Sequence, residues 1–404
     1  MRALQDLPEI NPMDPAFAAR RLASLEEARA EHGWAARSFR GLEVLTYEGC
    51  SQAYRNEALV TGVPLILQMI GVNIQEMAGP GRSLTESEDA DHSALRGVVS
   101  RWFTPRTVAE LRADVEELTG KLAAPLTAAR EGDLAELVTR RVPGPVFCWM
   151  MGLPEEEGDH LFDLSAILLK AFSGDPALAE QLTETSAEMR DFVNGLVDRK
   201  RAEPGNDLAS IMIAAADRGE IEEDDVRSLA FELLTASTDN THNSAALMFH
   251  LLASNPDQWA LVTDGTADLA DVVEECLRFD PTVVEDVKLA SRDTTLLDVE
   301  VPTGTMVWAS TLAAHYDPDV YPEPHRFDVT RKHAQPQLNF GIGRHYCTGA
   351  ALARMELAAM LAVAAASWES IELAGEPEID RTFGAKIATL PVRVTARAGN
   401  GAST

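Results

Sequence analysis

Apolar residues recur at three- and four-residue spacings along five long stretches: Met13–His32, Arg106–Ala129, Thr183–Ala202, Asp224–Ser254 and Gly349–Ala366. That period is the one an α-helix presents to a core, so most of the chain is predicted to be helical. Strand-like stretches are short, at Leu42–Tyr47 near the start and at Val287–Trp308 and Ile387–Thr395 late in the chain. Within the second of these, Thr303–Gly304 is expected to turn the chain between two short strands, Thr295–Val299 and Met306–Ser310. The fold class expected is mostly α, with a minor β-sheet portion contributed by both ends.

A length of 404 residues allows two or three domains by size alone. No Gly/Ser linker, repeat or low-complexity tract marks a cut, and the expectation is one domain over 1–404, with irregular ends at about 1–11 and 398–404. The formal net charge of -29 repels phosphate backbones and anionic lipid, which argues against nucleic acid and membrane surfaces as partners. The best apolar run, Leu357–Ala366, is half of the roughly 20 residues a membrane-spanning helix needs. No charged-then-apolar leader opens at Met1, and a cytoplasmic location is expected.

The four cysteines, Cys50, Cys148, Cys276 and Cys347, are far apart and form no CxxC pair, so neither a disulfide framework nor a zinc site is expected. Cys148 and Cys276 lie in apolar and helical runs and read as packing residues. Cys347 differs. Gly341, Gly343 and Gly349 flank it, and an alanine-rich helix starts just beyond. Glycines let a backbone turn tightly and pass close to a flat ligand. Unpaired N–H groups and the positive end of a helix dipole favour thiolate over thiol. A lone thiolate in such a loop suits an axial haem ligand, whose electron donation helps to break an O–O bond.

The segment Phe340-Gly-Ile-Gly-Arg-His-Tyr-Cys-Thr-Gly349 resembles the haem-binding signature of the cytochrome P-450 family, Phe-x-x-Gly-x-His/Arg-x-Cys-x-Gly. Every fixed position is met, and further family landmarks follow in order over roughly residues 12 to 396. The resemblance implies the cytochrome P-450 fold, with haem b between the central long helix and the cysteine loop, Cys347 as the iron's axial ligand, and Phe340, Gly341 and Gly349 shaping the loop.

Glu275-Cys-Leu-Arg278 resembles the family's Glu-x-x-Arg motif, and a three-residue step sets both side chains on one helix face within pairing reach. The later segment Tyr321-Pro-Glu-Pro-His-Arg-Phe327 resembles the loop that supplies a second arginine, here Arg326. The resemblance makes Glu275, Arg278 and Arg326 a structural network that locks the cysteine loop. It also implies that His92 and Arg96, four residues apart on one helix face, meet a haem propionate together with His345. Lys288 stands where the family places a further arginine, keeping the charge but not the bidentate fork.

The pattern breaks in the central helix, Leu229-Ala-Phe-Glu-Leu-Leu-Thr-Ala-Ser-Thr-Asp-Asn-Thr-His242. The family shows Ala/Gly-Gly-x-Asp/Glu-Thr-Thr/Ser here. Ala236 matches, Ser237 replaces the glycine, Asp239 supplies the acid, Asn240 stands for the first threonine and Thr241 matches the next. A dense polar insertion is disfavoured within a helix, because such side chains compete for backbone hydrogen bonds. A local departure amid consistent patterning points to function. By resemblance Asp239 relays protons, and Asn240, with Ser237 and Thr241 nearby, takes the oxygen-side position.

The activity implied is monooxygenation, in which one atom of O₂ enters a small hydrophobic substrate such as a terpenoid, an aromatic or a biosynthetic intermediate. Leu65, Leu234, Val283, Val284 and Ile387 lie where the family lines its pocket. With no flavin or iron–sulfur segment in the chain, electrons are expected from a ferredoxin and its NAD(P)H-dependent reductase. Arg101, Arg331, Lys332 and Arg344 are the candidate basic contacts for that partner. Two other readings are a peroxide-driven haem enzyme and a non-enzymatic haem-thiolate sensor or carrier.

Overall fold

The computed structural model describes residues 1–173, 175–381 and 384–397. It divides into two compact units, each assembled from two stretches of sequence: Met1–Ile66 with Glu274–Cys347, and Leu67–Val273 with Thr348–Thr404.

The first unit carries a five-stranded sheet in the order Ala35–Ser38, Gly41–Val44, Met306–Ala309, Asp286–Ala290, Leu59–Thr61. Gly41–Val44 runs parallel to Met306–Ala309, and its other neighbours are antiparallel. Leu42, Val44, Val307 and Ala309 are fully buried and pack with Tyr47, Cys50 and Ala53 of the Tyr47–Arg55 helix. A second sheet joins Arg2–Ala3, Val299–Val301 and Thr294–Leu296.

Two expectations are corrected here. The start of the chain is not irregular. Arg2–Ala3 pairs in parallel with Val299 and Glu300, and the Arg2 guanidinium bridges Asp298 at 2.8 Å. The hairpin expected from Thr295–Val299 to Met306–Ser310 also does not form. The chain reverses earlier, at Leu297 with φ +50, so Thr294–Leu296 pairs with Val299–Val301. Gly304, with φ +83, then carries Met306–Ala309 into the other sheet. The expected tail, 398–404, lies outside the described residues.

The second unit is built on the Glu223–Ser254 helix. It opens with reciprocal capping: the Glu222 side chain accepts from the backbone of Asp225, whose carboxylate accepts the Glu222 N–H at 2.8 Å. All residues from Thr241 to Phe249 are buried, as in a helix surrounded by others. Against it pack the helices Pro143–Met151, Gly158–Leu168, Ala179–Ala202, Leu208–Asp217 and Ala350–Ser367, with Arg112–Ala129 on the last of these and Asp89–Val99 on Leu208–Asp217. The predicted helices over Met13–His32 and Arg106–Ala129 are each broken once, at Arg20 and at Leu111. Ala350–Ser367 is 18 residues long and apolar enough to cross a membrane, more than the ten-residue run suggested, but half of it is buried inside the protein. Two small sheets complete the unit: Trp368–Leu373 with Pro391–Ala396 and Glu131–Asp133, and the hairpin Glu378–Asp380 with Lys386–Thr389.

Candidate active site

In the first unit, the residues from Gln337 to Cys347 fold into a self-bonded loop. The N–H of Gly341 donates to the Leu338 carbonyl, that of Tyr346 to Gly343, and that of Cys347 to Phe340 at 2.9 Å. Gly341 and Gly343 adopt φ of +64° and +79°, and a Cβ on Gly343 would stand 2.7 Å from the Tyr54 carbonyl oxygen. Only glycine satisfies both conditions there. Gly349 caps the Ala350–Ser367 helix two residues after the cysteine.

The thiols divide sharply. Cys347 is exposed, whereas Cys50, Cys148 and Cys276 are buried. Burial pushes the Cys148 thiol up to about 12 and holds Cys50 and Cys276 well above their ordinary range, which leaves those three inert. Beside the loop lies a cleft of about 140 Å³ whose lining includes Tyr54, Val283, Asp286, Lys288, Phe340 and His345. The Lys288 ammonium pairs with Asp286 at 2.9 Å and sits 5.2 Å from the centre of the Tyr54 ring. Haem needs an accessible sulfur, a backbone flat enough to lie against the ring, and cations for its carboxylates. An exposed cysteine on a glycine-shaped loop, next to a cleft carrying a lysine and a histidine, fits that group.

Beneath the loop is a buried charge network. Glu275 and Arg278, on the Leu269–Phe279 helix, have fully buried side chains and pair bidentately at 2.8 and 2.9 Å. The remaining Arg278 amino group donates to the carbonyls of His315 and Pro324, each at 3.0 Å. The second arginine on Glu275 is Arg331, at 3.2 Å, and not Arg326. Arg326 is 60% exposed and reaches only Glu323 and Asp328, at 3.7 and 3.5 Å. The cause is local. Glu323 turns the chain at φ +50, and Phe327 points inward, 5.2 Å from the Phe279 ring, so its neighbour Arg326 points out. The carbonyls of Pro322, Glu323 and Arg326 then converge on the Arg331 guanidinium.

His315 carries the network to the loop, and nothing in its apolar sequence context announced it. The Leu338 N–H donates to its Nε2 at 2.7 Å, so its Nδ1–H donates to the Arg278 carbonyl at 3.0 Å. Burial, and then the Arg278 charge, push this imidazole down to about 3, keeping it neutral as that pattern requires.

In the second unit, His92 and Arg96 lie one turn apart on the Asp89–Val99 helix, His92 buried and Arg96 half-buried. Two acids of the long helix hold the segment leading to them. Asp225 accepts from the Arg82 backbone and guanidinium, and Glu232 accepts from the N–H groups of Leu84 and Thr85 at 2.7 and 2.8 Å. The sequence reading missed both clamps, which join residues about 145 positions apart.

The long helix passes through the polar insertion without a break. Asn240 and Ala236, one turn apart, are exposed, while Thr241 is only 7% exposed. Asn240 and Thr241 therefore face different directions, as a rotation of about 100° per residue dictates. Ser237 is half-buried and donates to the Leu234 carbonyl at 3.4 Å. Thr238 donates to Ser165 at 2.9 Å, and Ser165 donates to the Thr235 carbonyl at 3.1 Å. Asp239 meets the Lys386 ammonium at 3.2 Å. Asn243 donates to the Asp239 carbonyl at 2.8 Å and accepts the Ile387 N–H at 2.9 Å.

Of the apolar residues expected at a pocket, Leu234, Val284 and Ile387 are buried and Leu65 and Val283 half-buried. Of the four basic residues considered for a partner surface, Arg331 is committed to Glu275, and Arg101 pairs with Glu220. Lys332 and Arg344 are exposed.

Comparison with known proteins places these features. Residues 269–394, which hold the Glu275 network and the cysteine loop, match the cytochrome P450 family. The luteothin monooxygenase of Streptomyces thioluteus is 32% identical over 384 residues, 92% of either chain. The mycinamicin IV hydroxylase/epoxidase of Micromonospora griseorubida is 32% identical over 73% of this chain and 74% of its own. The crystal structure of CalO2 superposes with a TM-score of 0.88 at 24% identity, covering 96% of this chain and 99% of that one. With 32% identity to the luteothin monooxygenase sustained over 92% of either chain, this chain belongs to the cytochrome P450 family and is a haem- and O₂-dependent monooxygenase of bacterial type.

Proposed function

We propose that this protein binds haem b through Cys347 and oxidises a small hydrophobic biosynthetic intermediate in the cytoplasm, with electrons from a ferredoxin and its NAD(P)H-dependent reductase. The observation that carries the cysteine assignment is the division of the thiols: one exposed on a glycine-shaped loop, three buried. Bound haem supplies the iron at which O₂ is reduced and one oxygen atom passes to substrate. Every other task falls to side chains. His345 and Lys288 in the first unit, and His92 and Arg96 in the second, hold the haem carboxylates. Phe340, Gly341 and Gly349 shape the loop, and Glu275, Arg278 and Arg331 fix its base.

Asp239 carries protons from solvent, and Asn240 orients the group on the oxygen side. An amide can donate a hydrogen bond there but relays protons poorly, so Ser237 is the nearest hydroxyl able to help. Thr241, buried where Asn240 is exposed, is assigned no direct part on that side. Leu65, Leu234, Val283, Val284 and Ile387 supply apolar contacts, which suit a substrate with few charges. The intermediate class is supported by relatives whose names refer to luteothin and mycinamicin IV.

The reduced protein with CO is expected to show the red-shifted Soret band of a strongly donating axial sulfur, and Cys347→His should move it to the histidine-ligated position. A wild-type band already at the histidine position would refute the assignment.

A further inference from the structure

Between the Leu269–Phe279 helix and the Asp286–Ala290 strand, residues 280–285 belong to no helix or sheet ladder, so their backbone groups need partners from elsewhere in the first unit. The Val284 carbonyl accepts the Leu312 N–H at 3.0 Å, and the Glu285 carboxylate pairs with Arg21 at 2.8 Å and with Arg40 at 3.1 Å. The Val283 N–H finds its acceptor in the cysteine loop, donating to Asn339 Oδ1 at 3.0 Å. Because the donor is a backbone N–H, the oxygen of the amide and not its nitrogen must face it.

Asn339 is itself held in place. It is buried, its own N–H donates to Gln337 Oε1 at 2.7 Å, and its Oδ1 lies 3.4 Å from the Thr282 hydroxyl. Its next neighbour along the chain is Phe340, and Phe340 and Val283 line the same cleft of about 140 Å³. One side-chain hydrogen bond thus runs from the backbone of one lining residue to the chain neighbour of the other. Its length sets how far apart the two can stand.

We propose that Asn339 is a positioning residue: it fixes the spacing of Val283 from the cysteine loop, and so the bulk of the organic group that the site admits. It acts through the Val283 backbone and not by contact with substrate. The anchors at Leu312 and Glu285 hold the residues that follow, so loss of the Asn339 bond frees Val283 without freeing the strand. The inference rests on haem lying in that cleft and on Val283 facing the substrate, as proposed above.

Two ligands of the haem iron report that spacing without knowledge of the substrate: imidazole, which is small, and 4-phenylimidazole, which carries a ring into the pocket. Their dissociation constants are read from the Soret shift of the haem-loaded protein. With the tie gone Val283 can retreat, so Asn339→Ala and Asn339→Leu are expected to favour the larger ligand over imidazole by roughly two- to tenfold relative to wild type, the scale of one net hydrogen bond. Imidazole affinity itself should stay near wild type.

A second readout needs no added ligand. In hydrogen exchange resolved to single residues, the Val283 amide should exchange roughly tenfold faster in both variants, because its acceptor is gone. A ligand ratio equal to wild type overturns the proposal, and so does an unmoved Val283 amide. An equal loss of affinity for both ligands would mark a merely structural residue and overturn it too, as would failure of both variants to take up haem. A wild-type Soret band that imidazole leaves unmoved would instead refute the haem assignment, and this proposal with it.

Discussion

Glu275 and Asp239 each lie on a helix and each face a cation, yet the molecule treats them in opposite ways. Glu275 is fully enclosed, grips Arg278 with both oxygens, takes Arg331 as a second partner and accepts the Asp328 N–H. Asp239 keeps a single ion pair with a half-exposed lysine. A buried pair that loses one partner leaves an uncompensated charge in a poorly polarisable interior. A pair at the solvent edge loses little, because water takes over. The first arrangement holds its carboxylate fixed, and the second lets water replace the partner at little cost.

The sharpest way to break this contrast is to remove a partner from the enclosed network. Glu275→Ala should cost about 3–5 kcal/mol and yield little folded, haem-loaded protein. Arg331→Ala should fall in the same class, whereas Arg326→Ala, at an exposed side chain, should stay within about 0.5 kcal/mol of wild type. Denaturant titration decides between them. Equal losses for the two arginines would contradict the assignment of Arg331 as the second partner of Glu275.

A smaller effect sharpens it through pH. His315 sits at about 3 in the folded protein, against about 6.5 in an unfolded chain. Between those values the unfolded chain binds a proton that the native state does not, so stability falls as pH drops from about 6.5 and levels off near 3. The slope from this one group is about 1.4 kcal/mol per pH unit. In His315→Gln, whose amide can supply the same donor and acceptor, the slope between about pH 6 and 4 should flatten by that amount. An unchanged slope would mean the imidazole is not held neutral.

The smallest stability change is expected at the other acid. Asp239→Asn should alter unfolding free energy by less than about 1 kcal/mol while slowing turnover at least tenfold, the reverse of the Glu275 profile. A loss of stability comparable to Glu275→Ala would erase the distinction between the two sites.

What the sequence revealed follows the range over which its signals act. The cysteine loop is legible because its glycines, cysteine and following helix are contiguous. Glu275 and Arg278 are legible because three residues make most of a helical turn. Arg331 was confused with Arg326 because both lie in one loop, and the choice depends on a positive φ at Glu323 and an inward Phe327, neither of which spacing encodes. Thr295–Val299 reads as one strand because the turn inside it uses Leu297, without the glycine or asparagine that usually marks such a reversal. The pair of Asp239 with Lys386 and the clamps of Asp225 and Glu232 join distant positions, where one sequence holds no trace of the contact.

The opening strand has a consequence for how the chain is made. Arg2–Ala3 finds its partner only near residue 300, and the first unit closes only with Glu274–Cys347. About 200 residues intervene, and at roughly 5–20 residues per second a ribosome needs on the order of 10–40 s to deliver them. Through that interval Ala35–Ser38 and Gly41–Val44 have only each other to pair with, Arg2–Ala3 and Leu59–Thr61 wait for partners beyond residue 285, and Leu42, Val44 and Cys50 lack much of the core that later buries them. The segment that will carry the cysteine is also the last piece of its unit to emerge, so the nascent protein is committed to a long exposure of apolar strand before it can accept its cofactor.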